Sequence, residues 1–401
     1  MKPTNTIAAK SEAPSAKSAN LFYNPTFRSV VFQVIAVSAL VFFFYTIVSN
    51  ALSNLDARGI ATGFDFLDQE AGFGIGLTLV EYDETFSYGR TFVVGLLNTA
   101  LVSLLGVILA TILGFFIGIA RLSSNWLVSR LAAVYIETFR NIPLLLQIFF
   151  WYFAVLQALP SPRQSMQLGD SIFLNVRGLF FPSPVFEAGS SAIFFTFIAG
   201  LITSIIIGIW AKNRQSLTGQ QTPMGRIIFA LCVILPVVVY FIMGRPISAE
   251  YPALKGFNFQ GGISIIPELA ALLVALSIYT AAFIAEIVRS GINAVNHGQS
   301  EAAMSLGLPR SKTLKLVVIP QALRIIIPPL TSQYLNLTKN SSLAMAIGYP
   351  DLVSVFAGTT LNQTGQAIEI IAMTMGVYLT LSLVTSALMN IYNRKVALVE
   401  R

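Results

Sequence analysis

Long apolar stretches separated by short polar connections dominate the chain. A helix rises about 1.5 Å per residue, so roughly 20 apolar residues cross the hydrocarbon of a bilayer. The pattern predicts eight such helices, near residues 30–50, 91–119, 133–158, 190–210, 227–243, 265–288, 323–347 and 367–391. The period-two alternation of a membrane β-barrel is absent from these stretches, so the predicted fold class is an all-α integral membrane protein. Pro143 is expected to bend the third helix.

Composition supports a bilayer as the solvent. Hydrophobic residues make up 55% of the chain and charged residues 11%, which is too few for a water-facing surface of ordinary polarity. The first apolar stretch is too long for a signal-peptide core and no clear cleavage site follows it, so it is predicted to remain as a span at 30–50. The polar tail before it, residues 1–29, is predicted to be disordered.

The distribution of Lys and Arg predicts the orientation. With a cytoplasmic amino terminus, the cytoplasmic connections hold 17 basic residues and the opposite connections hold 6. The positive-inside rule then places both termini, including the tail at 394–401, in the cytoplasm. The net charge of +7 is accounted for by this topology, so nucleic-acid binding is not needed to explain it. The first outer loop, 51–90, is acidic and is expected to face the periplasm.

One loop, residues 289–322, contains a short polar helical phrase, "EAAMSLGLPR". Ser300 is predicted to cap this helix and Glu301 to lie at the positive end of its dipole. Gly307 suits a left-handed carboxyl-terminal cap. A helix this short is marginal in water, so it needs something to pack against, and Ala302 and Ala303 give it a smooth face. The alternative is a plain helical linker.

The spacing from Glu301-Ala302-Ala303 through Gly307 to Pro320 closely resembles the EAA loop in permease subunits of bacterial ABC importers. "YIETFRNIPLLLQIFFWY" at 135–152 and the sequences flanking the loop resemble the polar amino-acid permease family. The resemblance covers 91–158 and 265–393, a five-helix type I permease core. The extra span, the acidic loop and a two-helix insertion over 159–264 are similar to the larger permease subunits of general L-amino-acid importers.

This resemblance implies a transport subunit with several partners. Residues 300–307 would dock on a cytoplasmic ABC ATPase dimer, which would bind the ATP and Mg, so no cofactor is expected in this chain. Indeed the chain has no Gly-x-x-x-x-Gly-Lys-Ser/Thr phosphate loop. A second homologous permease, expected to form a heterodimer, and a periplasmic amino-acid-binding protein would complete an importer of L-amino acids in the bacterial inner membrane.

Charged side chains inside apolar segments are candidates for the substrate pathway, because each is costly in hydrocarbon. Glu137 and Arg140 are three residues apart, as are Glu286 and Arg289, so each pair shares a helix face. The residues support two readings, which can coexist. The pairs neutralise themselves near the membrane surface, or the glutamates meet a substrate ammonium group or the gate.

Lys339 lies midway along the seventh predicted span, among polar residues that include Asn336 and Asn340. It can bind an amino-acid carboxylate, or it can pair with Glu286 and fix a helix junction. Asn98 is a further pathway candidate, although small polar residues in membrane helices also serve packing.

No catalytic or metal-binding constellation is visible. His297 is the only histidine and is expected to be a loop cap or a surface residue, so the parts of a metal site or a Ser-His-Asp triad are missing. Three other functions stay open: an ABC permease for another zwitterion such as an opine, an ion-coupled secondary transporter, and a membrane scaffold without transport. Dependence on an ATPase and substrate-dependent uptake distinguish them.

Overall fold

The computed structural model describes residues 25–57, 59 and 62–396. Most of the predicted tail at 1–29 and the end of the tail at 394–401 lie outside these residues. The helices are α1 (Pro25–Ala57), α2 (Tyr88–Arg121), α3 (Trp126–Asn141), α4 (Leu144–Phe149), α5 (Ser190–Thr218), α6 (Met224–Phe229), α7 (Leu235–Ile242), α8 (Pro267–Asn293), α9 (His297–Ser305), α10 (Arg310–Thr313), α11 (Ile319–Asn340), α12 (Leu361–Thr364) and α13 (Ala367–Val396).

Several helices continue through 3-10 or π-helical turns. The 3-10 turns are Asp65–Asp68, Pro162–Gln164 and Ser341–Ile347, and the π-helical turns are Phe150–Leu156, Ala230–Ile234, Leu314–Val318 and Val353–Thr360. Eight short strands are also present: β1 (Met166–Leu168), β2 (Ile172–Asn175), β3 (Gly178–Phe181), β4 (Ser183–Phe186), β5 (Ile247–Glu250), β6 (Ala253–Lys255), β7 (Asn258–Gln260) and β8 (Ile263–Ile265).

Two compact units make up the described chain. The smaller unit comprises the residues up to Phe66 together with Thr364–Glu369. In it, α1 exposes large apolar side chains on every side, which is typical of a single lipid-facing span. Gly63 donates its N–H to Glu369 Oε1 at 2.8 Å. The larger unit comprises Leu67–Gln363 and the residues from Ile370 onward.

The predicted membrane spans are largely present, with one correction. In the described residues, seven helices are long and apolar enough to cross a bilayer. The predicted third span, 133–158, is not one helix, because α3 and the segment Leu144–Leu156 meet at 106°. Pro143 lies at this break and has no N–H to continue the helix, so the bend is at the predicted residue but is far sharper than a kink. The first span also differs, because α1 begins at Pro25 and continues to Ala57.

The larger unit is built around the contact of α2 with α8. A Cβ on Gly114 of α2 would lie only 2.6 Å from Ile284 of α8, and one on Gly118 only 2.8 Å from Val288. The missing side chains therefore let the two helices approach closely, as small residues do in membrane helix pairs. Ile284 and Val288 are fully buried as a result. This contact positions α8, which lines the site described below.

Helix α11 packs on the same pair. Gly106, near the middle of the 34-residue α2, lies against Leu337, and a Cβ on this glycine would be 3.1 Å from Leu337 Cδ2. Leu337 is fully buried. Since α2 is about 50 Å long, the neighbourhood of Leu337 lies near the middle of the membrane-spanning region.

A small β layer covers the end of α8 that begins at Pro267, here called the sheet end of the core. Strands β1, β2, β3 and β8 form an antiparallel sheet, and β8 leads directly into α8. Phe259 stacks on Phe173 at 4.5 Å between ring centroids and lies 5.1 Å from Phe180. The opposite end of the core, which carries α9, is called the loop end.

The two inserted membrane helices pack mainly on each other. Helix α5 contacts the segment Met224–Ile242, where a Cβ on Gly200 would lie 2.4 Å from Leu231 O. Strands β4 and β5 pair antiparallel, with Phe186 opposite Ile247, and so join the two ends of this hairpin. The two inserted helices are present as predicted, whereas the strands on either side of them were not predicted.

Candidate functional site

Helix α9 contains the Glu-Ala-Ala phrase. Its N-cap is Asn296, whose side chain accepts a hydrogen bond from Gly298 N at 2.9 Å. The predicted cap, Ser300, is wrong, because the helix begins about one turn earlier and Ser300 lies inside it. The predicted ending is confirmed: Gly307 has φ +81°, and Leu308 N–H donates to Ala303 O at 3.2 Å.

The surface of α9 is mostly exposed in the isolated chain. Ala303 is its one buried residue. Glu301 is exposed, and its Oε1 lies 3.0 Å from Nδ1 of His297. His297 is exposed as well, so it is a surface residue. Met304 and Leu306 expose 42% and 83% of their surface. A short helix that shows a carboxylate and apolar side chains in this way has the composition of a docking surface.

Helix α9 connects the two helices that line a polar cavity. It follows α8 after three residues and is joined to α11 through α10 and Leu314–Val318. Pro320 directly follows the π-helical turn Leu314–Val318, inside the continuous helical stretch Arg310–Ile347. A displacement of α9 would therefore act on both helices at their loop ends.

The polar cavity has a volume of about 280 Å³ and lies between α8 and α11. Its lining residues are Tyr279, Thr280, Phe283, Gln333, Asn336 and Asn340. The three amides lie at positions i, i+3 and i+7 of α11, which places them on one helix face. Amide and hydroxyl groups can bind both the ammonium and the carboxylate of a zwitterion.

Lys339 lies beside this face, two residues beyond the mid-membrane contact of Leu337 with Gly106. Its side chain is exposed in the isolated chain. Asn336 is also exposed, whereas Asn340 is half-buried. A lysine cannot face hydrocarbon at this depth without a large cost in free energy, so this side of α11 requires a polar cover.

One of the two predicted self-neutralising charged pairs is confirmed. Glu286 forms a two-point ion pair with Arg289, with Arg289 Nε donating to Glu286 Oε2 at 2.9 Å. The predicted alternative, a pair between Lys339 and Glu286, is absent among the described residues, because the glutamate is already engaged with its neighbour on α8.

The second predicted pair, Glu137 with Arg140, is also absent among the described residues. Arg140 instead lies over the ring of Phe283, with its Cζ 5.1 Å from the ring centroid. Glu137 is exposed and only its backbone carbonyl is engaged, accepting from Asn141 at 2.7 Å. Because Phe283 lines the cavity, Arg140 lies at the cavity's edge.

Asn98 is fully buried at the sheet end of the core rather than in the polar cavity. Its side-chain nitrogen donates to Leu77 O at 2.9 Å and to Pro350 O at 2.8 Å. Tyr349 O–H in turn donates to Asn98 O at 3.0 Å. These bonds fasten α2 to the outer loop and to the corner at residues 348–351, which is a structural position.

The same corner contains a buried carboxylate. Asp351 accepts from Ser354 N at 2.8 Å and from Tyr378 O–H at 3.3 Å. Burial raises the pKa of Asp351 to about 7, because removing the carboxylate from water disfavours its charged form. A second cavity, of about 300 Å³, adjoins this corner and includes Glu268, which accepts from Tyr152 O–H at 2.8 Å.

The chain matches known transport proteins over nearly its whole length. Residues 205–398 match the family described as binding-protein-dependent transport system inner membrane component. A putative amino-acid ABC transporter permease of Escherichia coli is 56% identical over 387 residues, covering 96% of this chain and 98% of the relative. The chain belongs to this permease family. It is a multi-pass permease of the inner membrane, a transport component.

Two further relatives align with this permease over nearly its full length. The general L-amino acid transport system permease of Rhizobium johnstonii is 52% identical over 94% of this chain and 94% of its own length. The glutamate/glutamine/aspartate/asparagine transport system permease of Rhodobacter capsulatus is 39% identical over 98% of this chain and its own full length. The insertion and the extra amino-terminal span therefore fall within the aligned length of these permeases.

The sequence did not single out every cavity residue of the permease. Gln333, Tyr279 and Thr280 were missed, although Gln333 shares the three- and four-residue spacing of Asn336 and Asn340 and was detectable from it. Thr280 gave no signal, because a threonine hydroxyl in an apolar helix commonly bonds to its own helix backbone, and Tyr279 was one aromatic residue among many in the apolar spans. In the described residues no group of three or more His, Cys, Asp or Glu could hold a metal ion.

Proposed function

We propose that this permease moves L-amino acids from the periplasm to the cytoplasm, driven by a separate ATPase that docks on α9. The observation that carries the proposal is the position of α9, which is exposed and joined at both ends to the helices lining the polar cavity. A partner that pulled on this helix would change the cavity without contacting it.

The chemistry of α9 supports an ATPase as that partner. Met304 and Leu306 offer apolar contact area, and Glu301 offers a charge that fixes the orientation of docking. Ala303 attaches the helix to the core and leaves the rest of its surface available. The permease needs no cofactor for this role, since ATP and Mg would be bound by the ATPase dimer.

The polar cavity supports an amino acid as the substrate. Hydroxyls and amides line it, Arg140 stands at its edge, and Lys339 lies on the adjoining face of α11. These two cations could meet a carboxylate, while Glu137 and the ion-paired Glu286 lie toward the loop end and could meet an ammonium group as it leaves. The names of the relatives, which include a general L-amino acid permease, support the same substrate class.

A second permease chain would complete the pathway. Lys339 and Asn336 are exposed near the middle of the membrane, where contact with lipid is unfavourable. A homologous chain placed against this face of α11 would cover both and enclose the cavity. We propose a heterodimer, in which the two chains present different side chains to one substrate.

The orientation follows from the basic residues. Arg310, Lys312 and Lys315 lie at the loop end, so this end faces the cytoplasm and both termini are cytoplasmic. The sheet end then faces the periplasm, where a soluble amino-acid-binding protein would deliver the substrate near the acidic loop at residues 62–87.

The coupling is tested by reconstituting the permease with its ATPase, partner permease and binding protein in liposomes. Glu301→Lys is expected to lower ATP-driven amino-acid uptake at least about tenfold and to release the ATPase on purification, because the anchor charge is reversed. Glu187→Lys, a charge reversal at an exposed residue just beyond β4, is the matched control and should leave both unchanged. Uptake that continues without ATP or ATPase would contradict the proposal and favour an ion-coupled carrier.

The substrate pathway is tested separately in the same liposomes. Lys339→Gln is expected to raise the KM for amino acids at least about tenfold, because a charged partner of the carboxylate is lost. Lys255→Gln in β6 is the control. If an opine is transported and amino acids are not, the substrate assignment is wrong while the coupling mechanism stands.

A further inference from the structure

A third cavity lies at the loop end of the core, away from the polar cavity. Its volume is about 650 Å³. It is enclosed by the last turns of α2 and α8, the start of α3 and the start of α11. Neither the transport pathway nor the docking surface of α9 uses it.

The lining of this cavity changes in polarity along its length. Phe115, Val288 and Ile326 form its deep end, which is apolar. Ser123, just beyond the end of α2, and Asn293, the last residue of α8, are polar and lie at the loop end. The cavity is therefore apolar toward the membrane interior and polar toward the membrane surface, which matches the polarity of a phospholipid in that leaflet.

The length of the cavity also matches one leaflet. Phe115 lies in α2 and Ser123 lies two residues beyond its end. The eight-residue separation between these positions corresponds to about 12 Å along the axis of α2, at about 1.5 Å per residue. The hydrocarbon of one leaflet is about 15 Å thick, half of the whole core. An acyl chain entering from the loop end would thus reach the deep residues without crossing the bilayer centre.

A cation lies at the mouth. Arg121 ends α2 next to the lining residues Leu122 and Ser123, and its Nη1 donates to Ser129 Oγ at 3.0 Å. In the described part of the chain, Arg121 forms no direct ion pair with an acidic side chain, although its charge also acts on Glu286 of α8. The surrounding segments 121–140 and 286–324 contain eight basic and three acidic residues. This excess of positive charge complements an anionic headgroup.

We infer that the cavity binds an anionic phospholipid, with one acyl chain between α2 and α11 and its phosphate against Arg121. A zwitterionic lipid would fill the apolar part equally well but would gain less from the cation. The lipid would occupy the space between α2 and the start of α11, and so would support the helix on which the coupling segment acts.

The test is fluorescence quenching by brominated lipids in nanodiscs of the permease. The three native tryptophans are replaced by Phe, and a single reporter is introduced by Phe115→Trp at the deep end. Leu314→Trp, at an exposed lining residue, is a second reporter in case the first destabilises the fold. Ile209→Trp, on the exposed side of α5, is the control that contacts ordinary surrounding lipid.

Brominated phosphatidylglycerol is expected to quench the cavity reporters with an apparent affinity about fivefold higher than brominated phosphatidylcholine, as one nearby cation provides. The control reporter should show no such preference. Arg121→Gln should remove the preference, whereas Arg226→Gln, in α6 of the inserted hairpin, should leave it intact.

Two outcomes would overturn the inference. Equal quenching by the two lipids at the cavity reporters means that any acyl chain enters and that the anionic assignment is wrong. Absence of quenching at both cavity reporters, with normal quenching at Ile209→Trp, means that protein fills the cavity, either a partner subunit or a second copy. Persistence of the preference in Arg121→Gln would contradict the placement of the phosphate.

Discussion

The core pair α2–α8 and the inserted hairpin α5–α7 are both contacts of apolar helices, parallel in the core and antiparallel in the hairpin, and they are held in different ways. The core pair uses glycines at a close crossing and buries most of α8, and Asn98 of α2 donates to Pro350 O in the corner at the sheet end. Among the described residues, the hairpin has one close glycine contact and one side-chain hydrogen bond between its helices, which joins Ser204 Oγ and Cys232 Sγ at 3.8 Å. The difference leads us to expect that changes in the core affect stability and transport more than changes in the hairpin.

The largest effect is expected from a side chain placed in the core crossing. Gly114→Leu would drive its side chain into Ile284, whose Cβ lies 2.6 Å from the position of the new Cβ. Overpacking of this kind should lower the free energy of unfolding by about 3 kcal/mol. In detergent, the variant should show a strongly lowered apparent Tm or no cooperative thermal transition.

The matched control for that substitution is Gly208→Leu in α5, where the nearest atom is Met224 Cε at 3.6 Å. It should change the free energy of unfolding by about 0.5 kcal/mol at most. If both glycine variants behave alike, the contrast between core and hairpin is wrong.

A local effect is expected inside the hairpin. Gly200→Leu would clash with Leu231 O, where even a Cβ would lie at 2.4 Å, and so separate α5 from its neighbour. Alkylation of the half-buried Cys232 should become about tenfold faster. This corresponds to a decrease of roughly 1.4 kcal/mol in the free energy of the local opening that exposes the thiol.

The core should not respond to that change. Amino-acid uptake and the main unfolding transition of Gly200→Leu are expected to match the wild type. A fall in uptake would show that the hairpin is coupled to the pathway, and the comparison would then need revision.

A smaller, pH-dependent effect is expected from the polar fastening of the core. Asp351 has a pKa near 7 in the folded chain, against about 3.9 in an unfolded one. Its contribution to stability is thus fully present below about pH 4 and is lost as pH rises through 7.

The apparent Tm of the wild type should therefore decline by several degrees between pH 5 and pH 8, and Asp351→Asn should flatten this decline. Asp170→Asn, in the exposed turn between β1 and β2, is the control and should keep the wild-type slope. An unchanged slope in Asp351→Asn would show that another group titrates.

The smallest effect is expected from removing the hairpin altogether. Glu187 N donates to Pro246 O at 2.9 Å, so residues 188–245 can be replaced by an Asn-Gly turn that continues the β4–β5 ribbon. The shortened permease should fold, retain the ATPase and transport amino acids, as measured by co-purification and uptake. Failure to assemble with the partner permease would assign the hairpin a role in pairing.

The sequence predicted those features that one strong local signal determines. Apolar length located the spans, and Gly307 located the end of α9, because few other residues adopt a left-handed backbone. The start of α9 was misplaced, since "NHGQS" contains two residues that can cap a helix. Asn296 takes the role because its side chain accepts from Gly298 N, which extends the helix by about one turn.

Features that depend on tertiary contacts could not be predicted. Arg140 was expected to pair with Glu137, but the ring of Phe283 on another helix offers a competing position. Strands β1–β8 have only three or four residues each, too few for an alternating pattern to stand out from apolar background. The break at Pro143 was located correctly, but its 106° angle depends on packing of the two segments against α8.

The ribbon of β4 and β5 has a consequence for how the chain finds its fold. Helices α2 and α8 must meet although a long segment separates them, and closing a longer loop costs more entropy. Pairing of Phe186 with Ile247 shortens the effective distance by about 60 residues, because the hairpin leaves and returns at one point. The insertion thus lengthens the chain but adds little to the entropy cost of bringing α2 and α8 together.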